Sequence, residues 1–116
     1  MNSRKEGSRG EDLAAEYLAK NGYSILERNF RFERGEVDLI ARDGDELVFI
    51  EVKARRSDAF GLPEDAITPQ KEEQIKRVAE GYLFERQIEN QACRFDVVAI
   101  TYNQGKSDIR IIRNAF

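Results

Sequence analysis

Apolar residues recur along this chain in two rhythms, and the points where one gives way to the other mark out its elements. Over residues 8–21, Leu13, Ala14, Tyr17 and Leu18 keep the spacing that gathers side chains on one stripe of a helix. Ser8 stands where an N-cap is expected, Glu11 three residues on gives a capping-box spacing, and Asn21-Gly22 supplies the stop. Residues 1–8 carry no core-forming pattern and read as a frayed start. Residues 23–32 predict a strand holding Ile25, Leu26, Phe30 and Phe32, closed by Glu33-Arg34-Gly35. Two denser runs follow, Gly35-Glu36-Val37-Asp38-Leu39-Ile40 and Leu47-Val48-Phe49-Ile50-Glu51-Val52-Lys53, and the Asp43-Gly44 pair between them favours a tight hairpin turn. Residues 54–67 keep no period and contain Gly61 and Pro63, so they read as a loop, either an ordinary crossover or a cover over substrate.

Thr68 as N-cap and Pro69 at the first helical position open a second helix, with Ile75, Val78, Ala79, Tyr82 and Leu83 as its buried face. Residues 95–102 predict a fourth strand, 103–107 a turn and 108–113 a short edge strand. The order α-β-β-β-α-β-β describes a three-strand meander and a right-handed helical crossover that returns the fourth strand parallel to an earlier one. The expectation is an α/β fold, a mixed central β-sheet with flanking helices, as a single domain over residues 1–116.

The two dense runs contain an anomaly. Asp38 and Glu51 sit where a buried strand should carry no charge, and Lys53 follows two residues on. Burying an isolated carboxylate costs roughly several kcal/mol, so such groups share a partner, a metal or a task. A two-residue Asp43-Gly44 loop pairs Asp38 with Phe49, and a four-residue loop over 43–46 places Asp38 opposite Glu51. Either even-length loop sends Asp38, Glu51 and Lys53 to one face, whereas an odd loop separates them. Carboxylates converging beside a lysine form a hard-oxygen site suited to Mg²⁺ or Mn²⁺, with Lys53 able to orient a water or steady charge on a phosphate.

An acid, a hairpin and then Glu-x-Lys resembles the core of the PD-(D/E)XK nucleases, with Asp38, Glu51 and Lys53 in the motif positions and Val37 where the literal motif has proline. The opening Gly7-Ser8-Arg9-Gly10-Glu11-Asp12-Leu13, through Leu18 and Asn21-Gly22-Tyr23, is similar to that of archaeal Holliday-junction resolvases. Across nearly the whole chain the sequence resembles the bacterial YraN-like family, which shares that core. The resemblance implies a restriction-endonuclease-like core and a metal site in which Glu11 joins Asp38 and Glu51. The residues alone leave Glu11 open between that role and local helix capping. The resemblance also implies cleavage of structured or branched DNA more readily than RNA, and a homodimer where two strands are cut symmetrically. A catalytically silent nucleic-acid-binding or scaffold module with the same fold is the competing expectation.

Composition narrows the chemistry further. The 116 residues include no histidine and one cysteine, which removes His-based hydrolysis, zinc clusters and any internal disulfide. Cys93 reads as a small buried hydrophobe. No apolar run approaches the roughly 18 residues of a membrane span and residues 1–10 are too charged for a secretory signal, so no membrane partner and a cytoplasmic address are expected.

A formal charge of −3 does not itself attract nucleic acid. Phosphate contact therefore rests on local groups: Arg28, Arg31 and Arg34; Lys53, Arg55 and Arg56; and Lys71 in the first turn of the second helix. Of these Arg55, Lys71 and Arg34 are the candidate contacts, each with solvated surface or a helical ion pair as the alternative. Asp96, in Phe95-Asp96-Val97-Val98, resembles Asp38 in setting but has no expected metal role, and is read as half-exposed or paired with Arg94.

Overall fold

The computed structural model describes residues 3–56 and 61–116, with side chains from Arg9 onward. Its elements are α1 (Ser3–Lys20), β1 (Ser24–Phe32), β2 (Gly35–Asp43), β3 (Glu46–Arg55), a 3-10 turn at Pro63–Ala66, α2 (Pro69–Glu85), β4 (Cys93–Asn103) and β5 (Lys106–Ile112). Among the described residues the strands form one sheet in the order β1-β2-β3-β4-β5. Neighbours are antiparallel except β3 and β4, which run parallel because α2 carries the chain back across the sheet. This is the α/β fold with a mixed sheet and the element order that the periodicities predict.

Alternation along β3 divides the core. Val48 and Ile50 face Ala14 and Leu18 of α1, whereas Leu47 and Phe49 face Ile75, Val78 and Tyr82 of α2. Full burial of such aliphatic and aromatic side chains stabilises by roughly 1.5–3 kcal/mol each, so both faces contribute to holding the helices on the sheet. Phe49 meets Tyr82 edge-on and stacks with Phe95. The β1–β2 hairpin lies so close to α2 that a Cβ added at Gly35 or Gly81 would run into Val78 or the Phe32 ring.

The second helix begins as predicted: Thr68 has extended backbone, its Oγ1 accepts from the Lys71 amide at 3.1 Å, and Pro69 follows. The first helix does not. It starts at Ser3, so Ser8 lies inside it, and neither the frayed start nor the capping box centred on Ser8 survives. A residue inside a helix has its amide bonded back to the preceding turn and cannot act as N-cap. The loop over 54–67 is shorter than expected, since β3 runs to Arg55 and a 3-10 turn occupies Pro63–Ala66; a covering role at 57–60 falls outside the described residues.

Two further corrections concern charge. The hairpin loop is Gly44-Asp45, one residue later than the Asp43-Gly44 placement, and Asp43 pairs with Glu46; this register, which sets Asp38 opposite Glu51, is the one the alternative loop over 43–46 gives. Arg94 bonds both closing residues, reaching Asp43 Oδ2 at 2.8 Å and Glu46 Oε1 at 2.9 Å, a tertiary contact that selects this register. Asp96 is 0% exposed rather than half-exposed, and it is paired with Arg94 as the alternative expectation had it. Its Oδ1 accepts from Arg94 Nε and the Asn114 amide, both at 2.9 Å. Its Oδ2 accepts from Tyr23 Oη at 2.7 Å and Arg94 Nη2 at 2.9 Å. These bonds hold the Arg94 guanidinium well above its ordinary pKa.

Among the described residues no helix is long and apolar enough to cross a membrane.

Candidate functional site

The β2–β3 ladder ends at Leu39↔Ile50. Past that point β2 stays with β1 through Val37↔Phe30, while β3 stays with β4 from Glu51↔Val97 to Arg55↔Thr101. The sheet therefore forks at the next residues in register, Asp38 and Glu51. Parting strands leave amides without ladder partners, and buried amides must find others. Asp38 meets that need: its Oδ2 accepts from the Val52 amide at 2.8 Å.

Glu51 lies on the other prong, only 3% exposed. Its Oε2 is 3.6 Å from Lys53 Nζ and 3.5 Å from Lys71 Nζ. Among the described residues its Oε1 is buried with no hydrogen-bond partner. Burial first, and the charge of Glu51 second, push the Asp38 carboxyl up to about 7, and the two carboxyls are within hydrogen-bonding reach of each other. Two like charges held together in a poorly solvated fork behave this way, since the second ionisation must work against the first. Glu51 Oε1 and the neighbouring Asp38 carboxylate are hard oxygen donors of the kind that hold Mg²⁺ or Mn²⁺.

Glu11 approaches from α1. Burial raises its pKa, with the Asn29 side chain and Arg28 acting against that rise and the charges of Asp38 and Glu36 adding to it. Its Oε1 is also 3.7 Å from Arg28 Nη2, a guanidinium that pairs more closely with Asp12 at 2.7 Å. Among the described residues no three acidic or cysteine side chains gather into a ready-made metal cage, so Asp38 and Glu51 stand as a pair with Glu11 beside them.

The fork opens into a groove of about 1060 Å³ that Glu11, Asp38 and Glu51 line together with Arg9, Lys53, Arg55, Arg56 and Lys106. Apart from the three acids, every charged residue lining it among those described is a cation. The formal −3 of the chain thus hides a local basic track. Arg55 lies in this groove, but Arg34 does not: it lines a separate cleft of about 510 Å³ with Glu33, Gln74 and Arg77. Arg28 and Arg31 are drawn to Asp12 and Glu36, so the three arginines of β1 and its turn do not act as one phosphate patch. Lys71 is tied to Glu51 and to Gln74, whose Oε1 it reaches at 3.1 Å, rather than standing free as a first-turn lysine.

The pattern along the chain does not reveal Arg9, Tyr102 or Lys106 as groove residues. Arg9, two positions before Glu11, was open to inspection; Lys106 arrives only because the β3–β4 register carries the β4–β5 turn past the end of Lys53 and Arg55. Cys93 is half-buried and its thiol is pushed up by burial, which suits a packing role.

Relatives with the same description cover the chain nearly end to end. A UPF0102 protein of Caldicellulosiruptor saccharolyticus is 49% identical over 118 residues, spanning all of both chains. One from Symbiobacterium thermophilum is 47% identical over 98% of each chain. One from Geobacter sulfurreducens is 49% identical over 95% of this chain and 87% of its own. Matched over residues 10–100 by the model described as "Uncharacterised protein family UPF0102", the chain belongs to that family, the YraN-like one its motifs resemble.

Proposed function

We propose that the protein is a divalent-metal-dependent endonuclease that hydrolyses phosphodiesters in nucleic acid, DNA in preference to RNA. The observation that carries this reading is Glu51 Oε1, a buried carboxylate oxygen with no partner, set beside a second carboxylate at the head of a groove otherwise lined by cations. A folded protein rarely leaves such an atom bare, and a hard cation is the partner its chemistry suits.

In this reading Asp38 and Glu51 hold Mg²⁺ or Mn²⁺, and Glu11 completes the set by turning from Arg28. When bound, the ion supplies Lewis-acid stabilisation of the phosphoryl oxygens and activation of an attacking water. Lys53, already 3.6 Å from Glu51, meets the charge that builds on the phosphate. Arg9, Arg55, Arg56 and Lys106 hold the flanking phosphates, which makes binding salt-dependent. The resemblance to junction resolvases points to structured or branched DNA, with a homodimer for symmetric cutting.

The experiment is cleavage of branched and single-stranded DNA in Mg²⁺ or Mn²⁺. Asp38→Ala, Glu51→Ala and Lys53→Ala should each abolish cutting while the thermal transition persists. One feature favours the competing reading of a silent binding module: Glu11 faces Arg28, leaving only a carboxylate pair. That module would cut nothing with either ion, yet bind oligonucleotides in a salt-sensitive way.

A further inference from the structure

Lys71 reaches the acid pair from outside the Asp38, Glu51 and Lys53 motif. Thr68 and Pro69 fix the start of α2, and the Lys71 amide itself donates to the Thr68 cap, so its backbone is anchored. From there the side chain, 31% exposed, puts its ammonium 3.5 Å from Glu51 Oε2 and 3.1 Å from Gln74 Oε1. Glu51 lines the groove and Gln74 lines the second cleft, so Lys71 stands between them, bonded to one residue of each. Lys53 already approaches the same Oε2 at 3.6 Å. Two ammonium groups thus approach Glu51 Oε2, while among the described residues its twin has no hydrogen-bond partner.

That asymmetry has a use. A pair of carboxylates too close to share a poorly solvated fork needs positive charge whenever no ion is present. We infer that Lys71 is the built-in counter-ion of the acid pair, exchanging with a divalent cation: ion binding at Asp38 and Glu51 releases its ammonium from Glu51, and Gln74 retains it at the edge of the second cleft beside Arg34 and Arg77. The inference rests on reading Asp38 and Glu51 as a cation site. It assigns Lys71 a positioning role through Glu51, distinct from that of Lys53, which extends from the same strand as Glu51 and, among the described residues, has no second partner of the Gln74 kind. Exchange would keep the empty site folded and would add a cation to the second cleft only when the ion is in place.

The test uses Mn²⁺ alone, without nucleic acid. Isothermal titration should show that Lys71→Gln binds Mn²⁺ about tenfold more tightly than the wild type, because the ion no longer displaces a resident cation, whereas Lys71→Arg stays within about twofold of it. In the wild-type protein, reductive methylation followed by mass spectrometry should label Lys71 faster with Mn²⁺ than without, while Lys20, paired with exposed Glu16, keeps its rate. Equal or weaker Mn²⁺ binding by Lys71→Gln, or a Lys71 labelling rate that Mn²⁺ leaves unchanged, overturns the exchange and leaves the metal reading standing. Failure of the wild type to bind Mn²⁺ overturns both. Labelling needs no substitution, so it decides the matter even if Lys71→Gln does not fold.

Discussion

Asp96 and Glu51 lie one step apart in the parallel β3–β4 ladder, where Ile50↔Asp96 is followed by Glu51↔Val97, and both are buried acids. Their surroundings are opposite. Asp96 points toward the α1 face and takes two bonds from Arg94, one from Tyr23 and one from the Asn114 amide. Glu51 points toward the α2 face, crowds a second carboxylate, and leaves Oε1 bare. A buried carboxylate therefore carries no functional meaning by itself. What separates an acid that serves the fold from one available to a ligand is whether the protein has already satisfied it.

The largest effect that separates the two regions should come from the satisfied one. Arg94→Met strands Asp96 without its main partner and also releases Asp43 and Glu46, the residues that close the β2–β3 hairpin. Removing one side of a buried ion pair costs about 3–5 kcal/mol, so urea unfolding should show a loss of that size. Adding Asp96→Leu to Arg94→Met should restore part of it, since the stranded charge is then gone. A loss under about 1 kcal/mol for Arg94→Met would mean that Asp96 is not held as the contacts indicate, and the contrast would fail.

At the fork the expected sign reverses. The Asp38 carboxyl rises from 3.8 to about 7 on folding, through burial first and Glu51 second. An acid with a raised folded pKa binds its proton more tightly in the native state, so without an ion the stability that Asp38 contributes is fully present below about pH 4, falls as pH rises toward 7, then levels off. Asp38→Asn keeps an acceptor for the Val52 amide and removes the charge. It should stabilise the ion-free protein by about 1–3 kcal/mol at pH 8, with the gain shrinking to nothing near pH 4. Paired thermal melts across that range check it, and saturating Mn²⁺ should reverse the order by stabilising only the wild type. A destabilised Asp38→Asn at pH 8 without ion would place Asp38 with Asp96, as a structural acid.

Local chemistry made much of this legible in the sequence. The β2–β3 hairpin and the Thr68-Pro69 helix start depend on neighbours along the chain, and an even-length turn was enough to keep Asp38, Glu51 and Lys53 together. The apolar runs around Asp38 and Asp96 do not by themselves distinguish the two acids: the resemblance separates them and neighbouring Arg94 is a legible partner for Asp96, but Tyr23 and Asn114, which complete its bonds, and Lys71 near Glu51 come from elsewhere in the chain. Lys71 was visible as a first-turn lysine, but its contact with Glu51 depends on how α2 docks. The α1 start is not legible, because Ser8 and Glu11 have cap spacing while the helix begins at Ser3 and runs through polar residues before them.

The smallest predicted difference isolates one hydroxyl in each region. Tyr23 Oη donates to Asp96 at 2.7 Å and accepts from Arg94 Nη2 at 3.1 Å, and burial followed by the Asp96 bond holds the phenol well above its ordinary pKa. Tyr102 Oη, beside Gly10 at the groove, is buried with no hydrogen-bond partner among the described residues. Deleting a hydroxyl bonded to a charged group costs about 1.5–3 kcal/mol, whereas deleting one that has lost its water and found no partner returns a desolvation penalty. Tyr23→Phe should therefore destabilise by about 1.5–2 kcal/mol in denaturant titrations, and Tyr102→Phe should fall between no change and a gain of about 1 kcal/mol. Equal losses from the two would mean that the groove hydroxyl is satisfied after all. The difference between a closed polar network at Asp96 and an open one around the fork would then narrow to the carboxylates alone.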